Sequence, residues 1–505
     1  MLLAALLTLS ANAAGLDLLE VGGAWGTPGA TNPTALWWNP AGLAVGGGTQ
    51  FIIEGAPVLA NVYSDRANPP YGDVNYDPAQ EELRPLDALG YPTNYDYSGR
   101  GEVSLAQVVP FVGVSSDFTI EGLGIGAGIA VPTATGGEID DPTGANAYHL
   151  RSGDIRAPQI IVAASYRIKE LVSLGGSVNV IDSSWGSVVD TSAYPDLAFA
   201  VADTLGSDRP PGSFRDGYIE NSGYATTADF DALKDRKVSF GAGIYVTPIE
   251  ELGISVAFNK GVRLDHEGPL TLDFNCPPEY DLLSRFAAED RGICDVTMKG
   301  RGEVGYSLPS RVNLGVVYFP TEMVRLEAMG SWVGWSAFSD YEIKTIIADD
   351  QLSDDLTDPD IRAETLELVN KPRVWARDHR NTFWAGVDAK AQVHEMVMVG
   401  GRVFYDRASV PNESLLINNL SLDTIGLSAM AMVSPFEQLG IGLSYTRNQF
   451  ISQTVDNSNF GLTVVPENLR EFRYQFPSGN GTYGGAINRF GISLRGQFGA
   501  EGPKW

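Results

Sequence analysis

Phe490-Gly491-Ile492-Ser493-Leu494-Arg495-Gly496-Gln497-Phe498, near the C-terminus, decides the fold class. Phe490, Ile492, Leu494 and Phe498 fall on one face of an extended chain, and Gly491, Ser493, Arg495 and Gln497 on the other. Alternation with period two is the pattern of a strand between two different environments. It recurs from Leu171, where Val172, Leu174, Val178 and Val180 oppose Ser173, Gly175, Ser177 and Asn179. From Met323, Val324, Leu326, Ala328 and Trp332 oppose Arg325, Glu327 and Ser331. A soluble sandwich also alternates, so the connections must discriminate.

Tight turns are expected at Lys169-Glu170, Thr247-Pro248, Phe319-Pro320, His394-Glu395 and Ser434-Pro435. Between those hairpins lie longer polar stretches at about 64–102, 134–151, 191–236, 273–307, 346–379, 409–419 and 453–485. Short and long connections taking turns is the asymmetry of an outer-membrane barrel, with periplasmic turns and external loops. Hydrocarbon offers no hydrogen-bond partner to peptide groups, so a spanning sheet must close on itself. Fourteen candidate strands result, an even number that returns both ends to the periplasmic side. Trp332, Trp335, Phe404, Tyr405, Tyr445 and Phe450 lie near strand ends, where rings favour the membrane–water boundary.

The composition agrees. The chain has 505 residues, 44% of them hydrophobic, with 57 glycines and a net charge of -27. That charge argues against nucleic acid as a partner, because phosphate binding needs clustered cations. Leu2 to Leu9 is a short apolar run before Ala11-Asn12-Ala13, so residues 1–13 are expected to be a signal peptide, although its usual basic start is missing. After it, no apolar run reaches the ~20 residues of a spanning helix. Cys276 and Cys294, close together in one polar segment, are expected to pair in an oxidising compartment, a bond worth roughly 3 kcal/mol.

Residues 14–48 do not alternate. They include Asn32-Pro33-Thr34-Ala35-Leu36-Trp37-Trp38-Asn39-Pro40-Ala41-Gly42-Leu43, compact and partly apolar. Irregular backbone at membrane depth is tolerated inside protein or a wet lumen. A plug within the barrel is the sharp reading and a solvated periplasmic tail the bland one; two adjacent tryptophans favour the plug. The barrel then runs from 49 to 499, ending on Phe498, with 500–505 as a periplasmic extension.

At this point the sequence resembles the FadL/TodX family of outer-membrane transporters. The resemblance rests on Ala14-Gly15-Leu16, Asn39-Pro40-Ala41-Gly42-Leu43, Ser165-Tyr166-Arg167-Ile168, Leu308-Pro309-Ser310-Arg311, Trp335-Ser336-Ala337-Phe338 and Tyr405-Asp406-Arg407-Ala408-Ser409-Val410-Pro411. It implies an all-β, 14-stranded antiparallel transmembrane barrel with an N-terminal hatch in the lumen. It also implies inward passage of long-chain fatty acids or hydrocarbons. In the family, ligand caught at external loops reaches a pocket beside the hatch and leaves sideways through a kink in the third strand. Here that strand is expected at about Gly122 to Pro132, with Gly122, Gly124, Gly126, Gly128 and Pro132 as the lateral-gate positions; alternating glycine that merely eases curvature is the competing reading. Asn39, Pro40 and Ala41 form the hatch motif.

Candidate ligand contacts are Leu16, Leu18, Leu19 and Trp25. For a carboxylate, strand parity adds Arg325, Arg402 and Arg495, each competing with pairing to a luminal acid such as Glu327. No catalytic residue, metal or cofactor is expected. His149, His266 and His379 are read as lying in external loops and His394 in a turn, none in a serine–histidine context. The acidic run Asp349-Asp350, Asp354-Asp355, Asp358-Pro359-Asp360 lacks the spacing of a calcium loop and reads as a solvated loop. Expected partners are a hydrophobic small molecule, outer-membrane lipid and lipopolysaccharide, and the outer-membrane assembly machinery, the chain acting as a monomer. A non-specific diffusion porin and a surface adhesion barrel are the alternatives.

Overall fold

The computed structural model describes residues 21–67, 99–138, 151–192, 225–274, 296–352, 359–458 and 479–499. The readings on the signal segment 1–13, Leu16, Leu18, Leu19, His149, Cys276, Cys294 and the 500–505 extension lie outside the described residues. Twenty-one hydrogen-bonded segments, seven of them continuing the segment before across a short break, make fourteen strands.

These are β1 (Thr49–Arg66), β2 (Gly99–Ser116), β3 (Leu123–Ala130 and Ala134–Glu138), β4 (Ser152–Arg156 and Gln159–Ile168), β5 (Val172–Ser192), β6 (Ala225–Ile249) and β7 (Leu252–Asn259 and Val262–Phe274). There follow β8 (Val296–Leu308 and Arg311–Thr321), β9 (Val324–Val333 and Asp340–Ile347), β10 (Arg373–Ala376 and Thr382–His394), β11 (Val397–Asp406), β12 (Thr424–Phe436), β13 (Leu439–Phe450 and Gln453–Val455) and β14 (Gly481–Phe498). All pair antiparallel with their chain neighbours. β14 pairs back onto β1 from Thr49↔Phe498 to Arg66↔Gly481, so the sheet closes.

The alternation read from the sequence places side chains as a barrel requires. Val178, Leu174, Leu326, Trp332, Ile492 and Leu494 are exposed on the outer wall, while Ser173, Asn179, Arg325, Glu327, Ser493 and Arg495 are buried inside. Outward exposure of isoleucine, valine and leucine along nearly every strand is the signature of a wall solvated by lipid.

Three turns fall three residues later than expected. They lie at Glu250-Glu251, Glu322-Met323 and Glu437-Gln438 rather than at Thr247-Pro248, Phe319-Pro320 and Ser434-Pro435. Pro248, Pro320 and Pro435 instead sit in register shifts between Val246/Ile249, Tyr318/Thr321 and Val433/Phe436. A proline without an N–H fits a bulge, where the ladder is already interrupted. Lys169 and Glu170 do form a turn, both with positive φ (51° and 57°), the geometry of a two-residue hairpin with right-handed twist.

Other expectations are corrected. Trp335, Phe404 and Phe450 point inward and are buried, so of the six girdle candidates Trp332 and Tyr445 are the exposed ones. Strands run further outward than the alternation suggested: β6 begins at Ala225 and β8 at Val296, inside stretches read as loops. Inward-facing polarity above the bilayer still needs a ladder, and charged outer faces there cost nothing. His266 lies on β7, fully buried, with Nε2 2.8 Å from Ser183 Oγ, rather than in a loop. Part of the acidic run is a helix, Pro359–Asn370, with proline in its first turn.

Replacing the outward Val178 by Arg should destabilise the barrel by about 2–4 kcal/mol, the cost of a cation near the bilayer midplane. Denaturant titration in lipid vesicles measures it; an unchanged midpoint would place Val178 away from lipid.

Candidate functional site

Residues 21–48, the inner segment, fold as short turns of helix inside the barrel: Gly23–Trp25, Ala35–Trp38, Pro40–Gly42 and Leu43–Gly46. The Asn-Pro-Ala motif explains how it is fixed. Asn39 Oδ1 accepts the N–H of Ala41 (3.0 Å), capping the turn that Pro40 opens. The same side chain donates through Nδ2 to the Ile244 carbonyl (3.0 Å) and Ser255 Oγ (2.7 Å) on the wall. Ser173 donates to the Ala41 carbonyl (2.6 Å), Asn259 to that of Trp37 (3.0 Å) and Asn313 to that of Trp38 (3.0 Å). The wall's inward polar residues thus satisfy backbone groups that irregular chain cannot satisfy itself.

Close approach of two backbones needs glycine. A Cβ on Gly124 would lie 2.5 Å from Ala44 N, one on Gly175 2.4 Å from Ala41 N, and one on Gly243 1.9 Å from Asn39 Oδ1. Gly126 and Gly128 leave room for Leu36. The glycines expected to form a gate are therefore docking sites for the inner segment. Gly122 belongs to the turn before β3, at φ +77°.

Below this segment lies a buried charge cluster. Asp388 contacts Lys390 (3.0 Å), Arg402 (3.2 Å) and Arg325 (3.5 Å), and Glu327 contacts Arg325 (2.7 Å). The cluster reaches upward as a clamp: Glu327 accepts Gly29 N–H (2.8 Å), Arg325 donates to the Gly29 carbonyl (3.2 Å), and Arg402 to those of Ala24 (2.8 Å) and Gly26 (3.1 Å). Arg325 and Arg402, put forward as partners of a ligand carboxylate, are engaged by the inner segment and by luminal acids. Trp25 is packed on Met398, Met430 and Met432, with Arg495 over its ring at 4.3 Å and Lys390 at 5.8 Å.

The third strand is broken at Val131-Pro132-Thr133. β2 pairs with it from Ser116↔Ile125 to Phe111↔Ala130 and then once more at Ser104↔Glu138. Between these, Leu105 to Pro110 pair with β1 and have no partner on the β3 side. The cause is local: Pro132 has no N–H to give the ladder. Apolar side chains border the interruption, Val58, Ala60 and Val109 packing with Val131 and Ala134.

Beside it lies a small cavity, reached by Pro132, Thr133, Trp37, Ile181, Lys260 and Arg311 among others. Arg311 stands over the Trp37 ring at 5.4 Å. Trp37, Pro132, Ile181, Val262, Leu308 and Pro309 give it an apolar side, and Thr133, Gln159, Asn179, Ser239, Asn259, Lys260 and Arg311 a polar one, a lining that suits a guest with both characters. Neither Arg311 nor Lys260 was singled out from the sequence. Arg311 does close the Leu308-Pro309-Ser310-Arg311 motif, and Pro309-Ser310 breaks β8 at the cavity's height, which was the available signal.

Comparison with known proteins agrees with this geometry. Residues 4–414 match the model of the family described as outer membrane protein transport protein (OMPP1/FadL/TodX). The chain belongs to this family. It is an outer-membrane β-barrel transport protein. No curated protein matches the sequence. Among solved structures, a Pseudomonas aeruginosa FadL homologue superposes at TM-score 0.69 with 16% identity, covering 97% of this chain and 99% of that one. The P. putida toluene transporter TodX gives 0.64 at 12% over 96% and 100%, and the Ralstonia pickettii toluene transporter TbuX 0.56 at 12% over 93% and 94%. At such identities they establish the shared fold.

Toward the external end, described residues roof part of the lumen. The β11–β12 connection, read as polar over 409–419, buries Val410, Leu415, Ile417, Leu420 and Leu422 against Val62, Val103, Phe450 and Tyr483. His379 sits beneath it, Nδ1 2.9 Å from Ser409 Oγ, stacked on Phe338 (4.9 Å) and Trp335 (5.2 Å). Burial, and after it the Arg377 charge, lowers its pKa to about 3.

Gly175→Val should displace Ala41, cost roughly 1–3 kcal/mol as an overpacked contact, and raise single-channel conductance in planar bilayers; unchanged conductance would free the inner segment of any sealing role. The roof should respond to acid. A histidine with a depressed folded pKa stabilises fully above about pH 6.5, and progressively less as pH falls toward 3, by up to about 1.4 kcal/mol per pH unit. Protease cleavage within 408–422 should rise between pH 7 and 4, and His379→Phe should flatten that rise.

Proposed function

We propose that this protein takes up hydrophobic small molecules, long-chain fatty acids or hydrocarbons, by diffusion through a hatch-closed barrel with sideways release into the outer membrane. The observation that carries the reading is the coincidence of the β2–β3 interruption, its apolar border and the cavity at Pro132. Relatives described as toluene transporters and as a FadL homologue bracket the substrate class. In this reading residues 14–48 are the hatch and 49–499 the barrel. The gap at Val131–Thr133 is the exit, and the hatch motif Asn39-Pro40-Ala41 fixes the cavity floor. Trp25 contributes apolar surface beneath it. The chain acts alone as a monomer, among outer-membrane lipid and lipopolysaccharide after insertion by the assembly machinery. It performs no catalysis and needs no cofactor.

A general porin requires an open aqueous lumen, and here side chains and the inner segment occupy the bore from Val21 to Ala44. An apolar guest has a physical reason to leave sideways: bilayer hydrocarbon, at about 25 cal/mol per Å² of apolar surface kept from water, is a better sink than the periplasm.

Uptake of labelled oleate and of toluene by cells with and without the gene tests the reading. Thr133→Trp, which fills the cavity beside the gap, should bring uptake down to the level of cells lacking the gene while the barrel still migrates as folded. Undiminished uptake would remove the lateral route.

A further inference from the structure

At the end of the lumen nearest the short turns lies a second, open-sided recess. It is formed by Asn32, Gln50, Ile52, Met432, Gln438 and Arg495, and so joins the inner segment, the first residues of β1, the last of β14 and the β12–β13 turn. Arg495 is 8% exposed, and its Nε and Nη2 have no hydrogen-bond partner. The Trp25 ring at 4.3 Å occupies the face of the guanidinium. Stacking of that kind leaves the in-plane N–H donors unfilled.

A buried cation with vacant donors is costly unless an acceptor arrives. The surroundings do not supply a full complement of negative charge. Around this end of the bore, Arg325, Lys390, Arg402, Arg489 and Arg495 face Glu54, Glu327 and Asp388, two more cations than anions, in a chain whose net charge is -27. Arg489 is held by Glu54 (3.2 Å) and the others by Asp388 and Glu327, whereas Arg495 borders the recess with its Nε and Nη2 enclosed and unfilled.

We propose that this recess is a second ligand subsite, for the carboxylate head of an amphipathic acid, with Arg495 as the anion-binding residue. A planar guanidinium offers a carboxylate two parallel hydrogen bonds. The amides of Asn32, Gln50 and Gln438 surround the head with further donors, and Ile52 and Met432 flank the first methylene groups. A hydrocarbon such as toluene would leave the guanidinium donors empty, so this subsite separates acids from neutral guests. The proposal rests on the transport reading and adds head-group selection on the periplasmic side of the inner segment.

Calorimetry on the purified full chain in a maltoside detergent, with laurate, dodecanol and inorganic phosphate, tests it. Arg495→Gln should weaken laurate binding roughly tenfold or more, the loss of charge-assisted hydrogen bonds. Arg495→Lys should recover part of it, and dodecanol affinity should stay unchanged in both. Heat-modifiable gel migration shows that each variant is folded. Unchanged laurate binding in a folded Arg495→Gln barrel overturns the subsite, as does a loss produced by Lys260→Gln in its place. Phosphate binding as tightly as laurate overturns the amphipathic ligand. Wild-type protein that binds neither laurate nor dodecanol would instead refute the transport reading itself.

Discussion

Peptide groups in hydrocarbon have nothing to bond but each other, and every feature of this protein follows from how it meets that constraint. The wall meets it by closure, β14 returning to β1 over the full length of both strands. The inner segment cannot meet it alone, because three- and four-residue turns of helix leave most carbonyls and amides unpaired. Ser173, Asn259, Asn313, Glu327, Arg325 and Arg402 supply those partners from the wall. Polar residues on the inner face are therefore a docking surface rather than the lining of a water channel.

The same constraint makes the lapse between β2 and β3 informative. Leu105–Pro110 have backbone groups with no strand across from them on one side, beside a proline that could not have paired in any case. Apolar side chains border the lapse and a cavity opens behind it. Structure of this kind is expensive in a membrane, and it is tolerated where it lines a path.

Charge is distributed by a related logic. The chain as a whole carries a net charge of -27, whereas the inner cluster around Asp388 carries more cations than anions and is held by hydrogen bonds to backbone carbonyls. Buried ions of this kind add little net stability, but removing one partner is strongly destabilising, which fixes the inner segment in one position.

Alternation along β5, β9 and β14 determined the barrel, its lipid face and the inward placement of Arg325, Glu327 and Arg495, because a strand's two faces follow from period two alone. Adjacent tryptophans and Asn39-Pro40-Ala41 marked the inner segment, since apolar rings on irregular chain require cover. Where turns fell was legible to within three residues; the prolines that blurred them sit in bulges that only a paired neighbour defines. Tertiary structure alone decided what each inward group meets. It turned Gly124 and Gly175 into contact points for another backbone and Gly243 into room for the Asn39 amide, gave Arg325 and Arg402 to the inner segment, and brought Arg311 over Trp37. Parity says which side of a wall a residue occupies. Partners across a lumen are set by register and closure, and those are properties of the whole sheet.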